Sequence, residues 1–222
     1  MLTFEHQFWA QNPGSRLAGI DEAGRGPLAG PVVAGAVCIP QELVEALYAD
    51  QLARLTDSKK LTESDRKRFF EILSSTRGVE IGVGMADPAE IDSVNILRAT
   101  HVAMARAASA LFGGVPPHAL VDGLPVRGLP CSSTAIVKGD AKSFLIAAAS
   151  IVAKVTRDAI MDDLDTQYPE YGFAKHKGYP TPAHLAALQK HGACPVHRQS
   201  YAPVAALHQP SLFHEYRLQA ED

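Results

Sequence analysis

The chain has 222 residues, of which 46% are hydrophobic and 20% are charged, and this composition is ordinary for a globular protein with one large domain. Its formal net charge of −3 counts against a general nucleic-acid-binding module, which is usually basic, unless a local basic patch holds the phosphates. The sequence has no apolar run long enough to span a bilayer, its first residues do not predict a secretory signal, and its three cysteines do not suggest a disulfide framework. We therefore expect a cytoplasmic protein with no membrane association.

The first half of the chain predicts a hairpin followed by helices and a third strand. Two apolar runs within residues 16–39, joined by a Gly/Pro-rich turn, are typical of an antiparallel hairpin. Residues 42–55 and 62–73 carry helical spacing, and Thr62 stands three residues before an aspartate, as in a loose capping box. Residues 79–86 alternate in polarity, which predicts a strand.

The second half predicts two more strands among three helices. An alanine-rich helical pattern covers 89–111, and short strands are expected over 118–123 and 133–140, each ending in an aspartate. Helices are expected over 141–164 and over 181–192, the last with Thr181 at its cap and Gly192 just past its end. This order of elements predicts an α/β sheet of mixed strand direction covered by helices.

Four carboxylates occupy unusual places in the predicted strands. Asp21 and Glu22 interrupt an otherwise apolar strand, where a charge is costly unless it is paired or bound to metal. Asp122 and Asp140 end two further strands, although singly Asp122 could be a turn residue and Asp140 a helix N-cap. If they converge at one edge of the sheet, the four offer the oxygen ligands that suit Mg²⁺ or Mn²⁺. Metal-activated water at such a site hydrolyses phosphodiesters, so the sequence predicts a metal-dependent nuclease.

The neighbouring pair raises a geometric difficulty. Adjacent side chains of a regular strand point to opposite faces of the sheet. Asp21 and Glu22 can therefore share one ion only through a twist or bulge of the strand, or if one of them contributes its backbone carbonyl.

A glycine-rich turn and a basic loop are candidates for binding the nucleic acid. Gly24, Arg25 and Gly26 directly follow the acidic pair; glycines let a backbone approach a ligand, and arginine forks onto phosphate, although a plain hairpin turn also uses glycines. The loop 57–61 contains Lys59, which could grip backbone phosphates or simply be solvated.

Two later segments are further candidates for binding the nucleic acid. Helical positions Ser143, Ala147, Ser150, Lys154 and Arg157 share one face that is small near Asp140 and basic further along. A nucleic-acid backbone could lie along this face, or the helix could be an ordinary amphipathic one. Beyond it, Tyr179 follows three basic residues and could stack on a base or sugar, or be a core tyrosine.

Seven segments of the chain together match one known family. They are GIDEAGRGPLAGPVVAGAV (19–37), DSKKL (57–61), NILRAT (95–100), VDG (121–123), KGDAKSFLIAAASIVAKVTRD (138–158), YGFAKHKGYPT (171–181) and HRQSYAPV (197–204). In this order they resemble bacterial ribonuclease HII, the type 2 ribonuclease H family. The resemblance covers most of residues 16–204 and does not cover residues 1–15 or 206–222.

The resemblance implies a ribonuclease H-like mixed sheet flanked by helices, with a helical C-terminal portion. We accordingly divide the chain into a catalytic core over 1–165 and a helical extension over 166–222 that packs on it as one structural unit. The family cuts RNA in RNA–DNA hybrids, and it cuts duplex DNA on the 5′ side of a single embedded ribonucleotide. The products carry a 3′-hydroxyl and a 5′-phosphate, and this cut starts ribonucleotide excision repair.

By the resemblance, the four carboxylates are the catalytic and metal-binding residues, with Mn²⁺ or Mg²⁺ as cofactor. The turn formed by Gly24, Arg25 and Gly26 would read the 2′-hydroxyl at the RNA–DNA junction, the group that separates RNA from DNA. Tyr179 would stack on the sugar beside the junction. The supporting or phosphate contacts would be Lys59, Asn95, Ser150 and Lys154.

The expected partners are RNA–DNA hybrid and ribonucleotide-containing duplex DNA, and the protein is expected to be a monomer. The tail HQPSLFHEY is superficially similar to a sliding-clamp peptide, with Gln209 and Leu212 in place, but Glu215 precedes Tyr216 where paired aromatic residues would stand. Clamp binding is thus weakly supported.

Three other interpretations of the sequence compete with a nuclease. His191, Cys194 and His197 have the spacing of metal ligands, and His184 could complete a structural zinc site. A non-enzymatic nucleic-acid-binding module would predict a basic chain without acids at strand centres, and both predictions fail. A phosphotransferase with a phosphate-binding loop is unsupported because GxxxxGK[ST] is missing from the sequence.

Overall fold

The computed structural model describes residues 1–53, 55–56 and 58–208. The chain divides into two compact units: the first holds Met1–Arg25 and Pro31–Ala159, and the second holds Gly26–Gly30 together with the chain from Ile160 onwards. Within the described part of the chain, no helix combines the length and the apolar character needed to cross a membrane.

One five-stranded sheet of mixed direction forms the first unit. Its strands, in chain order, are β1 (Leu17–Ala23), β2 (Val32–Cys38), β3 (Glu80–Ala86), β4 (His118–Asp122) and β5 (Ser132–Ile136). They lie side by side in the order β3-β2-β1-β4-β5. β2 is antiparallel to both β1 and β3, whereas β1, β4 and β5 run parallel. The predicted hairpin, third strand and mixed sheet are confirmed.

Helices cover this sheet and build the second unit. The first unit contains α1 (Thr3–Gln11), α2 (Gln41–Ala49), α3 (Glu63–Ser75), α4 (Pro88–Val94), α5 (Ile96–Ser109) and most of α6 (Phe144–Gln167). The second unit contains the last turns of α6 with α7 (Phe173–His176), α8 (Pro182–His191) and α9 (Ala202–Ala205). Short 3₁₀ turns lie at Ser58–Lys60, Gly139–Ala141 and Ala206–His208.

Side-chain caps fix where several helices begin. The Thr62 hydroxyl accepts a hydrogen bond from the backbone N–H of Asp65, which satisfies one of the unpaired donors of the first turn of α3. Thr181 caps α8 through the N–H of His184 in the same way. The caps predicted at both threonines are confirmed.

Three predicted boundaries are wrong. The helix expected over 89–111 is two helices, broken at Asn95, whose φ of 70° is left-handed and whose side chain caps α5 by accepting from the N–H groups of Leu97 and Arg98. The helix expected to run to residue 55 ends at Ala49. β5 ends at Ile136, so Asp140 lies in a 3₁₀ turn and not at a strand end.

α6 packs directly onto one face of the sheet. A β-carbon added to Gly19 would lie 2.1 Å from the carbonyl carbon of Leu145, and one added to Gly35 would lie 2.5 Å from the carbonyl oxygen of Ala149. Backbone therefore touches backbone, and glycine is required at both positions. The opposite face receives α5 in the same manner, since a β-carbon at Gly84 would lie 2.2 Å from the carbonyl oxygen of Ala103.

The first unit also buries a carboxylate within its core. Glu5 of α1 is fully buried, and its Oε1 accepts hydrogen bonds from the Ser143 hydroxyl at 2.6 Å and from the Leu145 N–H at 3.1 Å. Trp9, one helical turn later, is buried on the same side of α1. α1 thus fixes the start of α6 through a side-chain cap supplied from a distant part of the sequence.

The segment Gly26–Gly30 joins the second unit through backbone hydrogen bonds. The N–H of Leu28 donates to the carbonyl of Gly178, and the N–H of Gly30 donates to the carbonyl of Val196. Arg198, fully buried, donates from Nε and Nη2 to the carbonyl of Gly30 at 3.0 and 2.8 Å. These bonds explain why a piece of the predicted hairpin turn belongs to the C-terminal part of the fold.

Candidate active site

The two acidic residues of β1 point to opposite faces of the sheet. Asp21 pairs with Gly35, which faces α6, whereas Glu22 pairs with Ala34, which in turn pairs with Gly84 on the α5 face. Residues paired across strands share a face. The geometric difficulty stated from the sequence is therefore present in the fold.

Asp122 lies beside Asp21 at the ends of parallel strands. Ile20 pairs with Val121, so the two aspartates are the next residue along each strand. The Oδ1 of Asp122 accepts a 2.6 Å hydrogen bond from the N–H of Gly139, the first residue of the turn that carries Asp140. This bond ties the end of β4 to that turn.

Asp140 is not the N-cap of the following helix. It lies within Gly139–Ala141, and α6 begins only at Phe144. The residue before the helix is Ser143, whose Oγ accepts from the N–H of Ile146 at 3.2 Å and so acts as the cap. The helix N-cap interpretation of Asp140 is therefore wrong.

The four carboxylates share one electrostatic environment. Burial raises the pKa of Asp21, which is 7% exposed, well above its ordinary value. The charges of Glu22, Asp122 and Asp140 raise the pKa of Asp21 further. Burial also raises the pKa of Glu22, and the nearby guanidinium of Arg25 opposes that rise.

This donor set fits a hard divalent cation in its chemistry. All of its side-chain donors are carboxylate oxygens, and a cation would relieve the repulsion that raises the pKa of Asp21. The side chains do not converge on a single point, because nowhere in the described ranges do three His, Cys, Asp or Glu residues lie close enough to hold one ion. Closure around a metal would require the carboxylates to move toward one another.

Glycine is required at position 24 both by the backbone conformation there and by the neighbouring side chain. Its φ of 95° is left-handed, and a β-carbon there would lie 1.9 Å from the Nε of Arg157. Arg157 is 1% exposed, and its Nε donates to the carbonyl of Pro31 at 3.0 Å. The neighbouring Arg25 is half-exposed, with its Nη1 3.3 Å from the Oε1 of Glu22.

Gly26 and Tyr179 belong to the second unit. A β-carbon on Gly26 would lie 3.7 Å from the Cε1 of Tyr179, an ordinary contact distance, so the ring stands directly beside the glycine. Tyr179 is 44% exposed. The alternative that Tyr179 is a core tyrosine is therefore wrong.

The remaining sequence candidates have varied environments. Asn95 is exposed and caps α5, and Lys154 pairs with Asp158 at 2.6 Å. Ser150 is 3% exposed and donates to the carbonyl of Ala147. The structure does not describe the side chain of Lys59 or the residues from Gln209 onwards, which include Gln209 and Leu212 of the clamp-like tail.

The helical face proposed to carry a nucleic-acid backbone is not a continuous surface. Ser143, Ser150 and Arg157 are all buried and hydrogen-bonded within the protein. The face is instead largely internal. Glu5, the buried hydrogen-bond partner of Ser143, was not predicted from the sequence. The spacing of Glu5 and Trp9 by one helical turn was nevertheless a signal that both face the core.

The histidines of the second unit form a closed hydrogen-bonded cluster. The two Nε2 atoms of His184 and His197 lie 3.0 Å apart, and the Nδ1 of His197 lies 3.1 Å from the Sγ of Cys194. Both ring nitrogens of His197 are thus occupied inside the cluster, while His191 is exposed. Since the described residues include no group of three such ligands placed to hold an ion, the zinc interpretation fails.

The fold places the chain among the ribonuclease H-like α/β proteins. The ribonuclease H2 of Pyrococcus horikoshii OT3 is 30% identical with a TM-score of 0.72, and the match covers 86% of this chain and 96% of that one. The Archaeoglobus fulgidus RNase HII, solved in its complex with PCNA, is 26% identical with a TM-score of 0.68, over 90% of this chain and 99% of that one.

Sequence comparison narrows the class to one family. The model of the ribonuclease HII family matches residues 18–204. The ribonuclease HII of Magnetococcus marinus is 54% identical over 194 residues, which is 86% of this chain and 86% of that protein. The chain belongs to the ribonuclease HII family and is a hydrolase of the ribonuclease H class. The resemblance and the fold class expected from the sequence are confirmed.

Proposed function

We propose that this enzyme hydrolyses the RNA strand of RNA–DNA hybrids and cuts duplex DNA on the 5′ side of a single embedded ribonucleotide. The cut leaves a 3′-hydroxyl and a 5′-phosphate and starts ribonucleotide excision repair. One observation carries the proposal: in a chain of the ribonuclease HII family, four carboxylates lie in one electrostatic environment at the ends of β1 and β4 and in the turn before α6.

The carboxylates are proposed to be the catalytic residues and the ligands of Mn²⁺ or Mg²⁺. Such an ion, when bound, supplies activated water and stabilises the negative charge that develops on the phosphate. Asp21 contributes a buried carboxylate whose pKa is raised by burial and by the neighbouring carboxylates, and a bound cation would oppose that rise. The N–H of Gly139 holds the carboxylate of Asp122 in a fixed orientation.

Recognition of the ribonucleotide is assigned to the glycine-rich turn and to Tyr179. The 2′-hydroxyl is the group that distinguishes RNA from DNA, and a turn without side chains at Gly24 and Gly26 allows backbone groups to approach it. The half-exposed Arg25, whose Nη1 lies 3.3 Å from the Oε1 of Glu22, is proposed to contact a phosphate through its guanidinium group. Lys59, Asn95, Ser150 and Lys154 are proposed as supporting contacts.

We propose that the protein acts in the cytoplasm as a monomer. All three cysteines are free, as expected of a reducing compartment. The Archaeoglobus fulgidus relative was solved in its complex with PCNA, which makes a sliding clamp the second candidate partner. Deletion of residues 209–222 tests that candidate, since it removes the clamp-like residues Gln209 and Leu212. Loss of clamp binding without loss of cleavage would locate the contact in this segment.

The experiment uses an end-labelled DNA duplex with one ribonucleotide, a long RNA–DNA hybrid and an all-DNA duplex. With Mg²⁺ or Mn²⁺, we expect one cut 5′ to the ribonucleotide, degradation of the hybrid, no cut in the DNA, and no activity in EDTA. Cleavage of the hybrid alone would overturn the junction role of the glycine-rich turn and Tyr179. Cleavage of neither ribonucleotide-containing substrate would overturn the nuclease assignment.

A further inference from the structure

A broad groove runs between α5 and the segment 124–130. Its volume is about 870 Å³, and it is lined by side chains from α5 and by the segment that follows β4. We call it the α5 groove; the lining residues that matter below are Leu97, Arg98, His101, Leu124, Pro125 and Arg127.

The α5 groove adjoins the proposed active site. The segment 124–130 begins two residues after Asp122, and α5 covers the face of the sheet to which Glu22 points. His101 lies between the two walls, because its Nδ1 accepts from the N–H of Arg127 at 3.4 Å. Burial lowers the pKa of His101, and the charge of Arg25 lowers it further, which places the groove within the electrostatic reach of the active-site turn.

The charges of the groove are of one sign. The described residues that line it include three arginines and no carboxylate. Arg106 is neutralised by Glu90, with its Nη2 2.8 Å from Oε1. Arg98 and Arg127 are exposed and form no ion pair with any described residue, so their guanidinium groups are available to an anionic ligand.

The apolar part of the surface suits the sides of a nucleic-acid strand. Leu124 is 75% exposed and Leu97 is 51% exposed, and Pro125 follows Leu124 directly. Proteins that bind the minor groove of DNA also place leucine or proline against the base steps beside basic residues. The net charge of −3 also requires that phosphates be held by local groups of arginine or lysine.

We propose that the α5 groove binds the phosphate backbone of one duplex arm beside the cleavage site, with Arg98 and Arg127 as phosphate contacts and Leu124 packed against the strand. The inference rests on the proposed function and adds to it a binding surface outside the carboxylate cluster. A duplex carries one charge per roughly 1.7 Å of its axis, so an arm beside the cleavage site offers many phosphates to a cationic surface next to that site. The α5 groove is a cationic surface of this kind, and its wall 124–130 begins two residues after Asp122.

The test compares the double variant Arg98→Gln/Arg127→Gln with wild type and with Arg77→Gln. Arg77 is also exposed, but it precedes β3, whose first residue Glu80 pairs with Cys38, at the end of the sheet away from Ala23. Cleavage of a ribonucleotide-containing duplex with long arms is measured at increasing salt. Substrates with one arm or the other shortened to a few base pairs are then compared.

We expect the double variant to raise KM by about tenfold with kcat little changed, and to reduce the salt slope of binding by about 2, since each lost phosphate contact removes about 0.9. Arg77→Gln should match wild type, and Arg98→Lys/Arg127→Lys should restore most of the slope. Shortening one of the two arms should remove the difference between the double variant and wild type.

Equal KM and salt slope for the double variant and Arg77→Gln on the long duplex would overturn the proposal. So would a double variant that cuts normally but loses affinity for a synthetic acidic peptide with leucine anchors, because the groove would then be a peptide-docking surface. Thermal unfolding of each variant shows whether it is folded. Failure of wild type to cut any ribonucleotide-containing substrate would instead count against the proposed function.

Discussion

Glu5 and Ser143, which are 138 positions apart in the sequence, meet in a 2.6 Å hydrogen bond between the serine hydroxyl and a fully buried carboxylate. The same Oε1 accepts from the N–H of Leu145, so one side chain of α1 caps the helix that starts just after Asp140. The first helix, which the family match over 18–204 does not include, thereby takes part in building the candidate active site.

Replacing Glu5 with alanine should destabilise the protein. The change removes two buried hydrogen bonds and leaves the Ser143 hydroxyl and the Leu145 N–H without their acceptor, at a cost of about 2–3 kcal/mol. Urea unfolding followed by circular dichroism measures the loss. Glu71→Ala, an exposed glutamate within α3, is the matched control and should change stability by less than about 0.5 kcal/mol. Equal effects of the two changes would contradict the capping role.

Gly24→Ala should be much more damaging than Gly14→Ala. Both glycines have a positive φ, but a β-carbon at Gly14 meets no atom within 4 Å, whereas one at Gly24 lies 1.9 Å from the Nε of buried Arg157. We expect a loss of about 1 kcal/mol at Gly14 and at least about twice that at Gly24. Chemical denaturation of both variants gives the comparison. A Gly24→Ala protein as stable as Gly14→Ala would show that Arg157 moves aside without cost.

Asp21→Asn should abolish cleavage while the fold gains stability. The neutral amide removes a buried charge that Glu22, Asp122 and Asp140 repel, so the melting temperature in EDTA should rise. Cleavage should fall by about a thousandfold or more, because several kcal/mol of transition-state stabilisation are lost. Substrate affinity in Ca²⁺ should survive. The exposed Asp163→Asn is the control for both measurements. A parallel loss of affinity and activity would make Asp21 structural.

Tyr179→Ala should harm cleavage at a single ribonucleotide more than cleavage of a long hybrid. The ring is exposed beside Gly26, where it can stack on one sugar, and a long hybrid offers many alternative registers to the enzyme. Relative kcat/KM on the two substrates is the measurement. Tyr179→Phe keeps the ring and should behave almost as wild type. Equal losses on both substrates would remove Tyr179 from the junction.

Stability should fall on mild acidification because of the buried histidines. Burial lowers the pKa of His197 to about 4, and it lowers the pKa of His184 as well. The unfolded chain, with ordinary histidine pKa values of about 6.5, binds more protons than the folded one below that pH. The contribution of the neutral pair is thus fully present above about pH 6.5 and is lost progressively as the pH falls toward 4.

Urea unfolding between pH 7 and pH 4.5 measures this dependence. His197→Gln should flatten the decline by removing the group with the most depressed pKa, at some cost in stability at pH 7. His191→Gln, which changes an exposed histidine, should keep the wild-type profile. A profile that is unchanged in His197→Gln would show that other groups cause the acid sensitivity.

Periodicity and capping were sufficient for most of the fold. The alternation of 79–86 and the threonines at 62 and 181 correctly predicted β3 and the starts of α3 and α8. The break at Asn95 was missed because alanine-rich helical spacing continues on both sides of it, and a single left-handed residue leaves no periodic trace.

The site was predictable in its residue types and less so in its placement. Asp21 and Glu22 were identified as site candidates because they are charged residues in an otherwise apolar strand. The alternation of side chains along a strand correctly predicted that they point to opposite faces of the sheet. Asp140 was misplaced because Lys138, with a φ of 57°, turns the chain after β5 has ended. Burial of Ser143 depends on Glu5, a neighbour 138 residues away, and helical spacing holds no information about such a partner.

The direct backbone contact of α6 with Gly19 and Gly35 has a consequence for how the sequence can diverge. Where a helix rests on side chains, substitutions in the core change its distance from the sheet by fractions of an ångström. Here the spacing is set by main-chain atoms, so apolar residues elsewhere in the core can be exchanged without shifting the helix. The position of the strand that carries Asp21 relative to α6 is therefore protected from substitutions in the core, and the geometry of the candidate site can persist while other core residues vary.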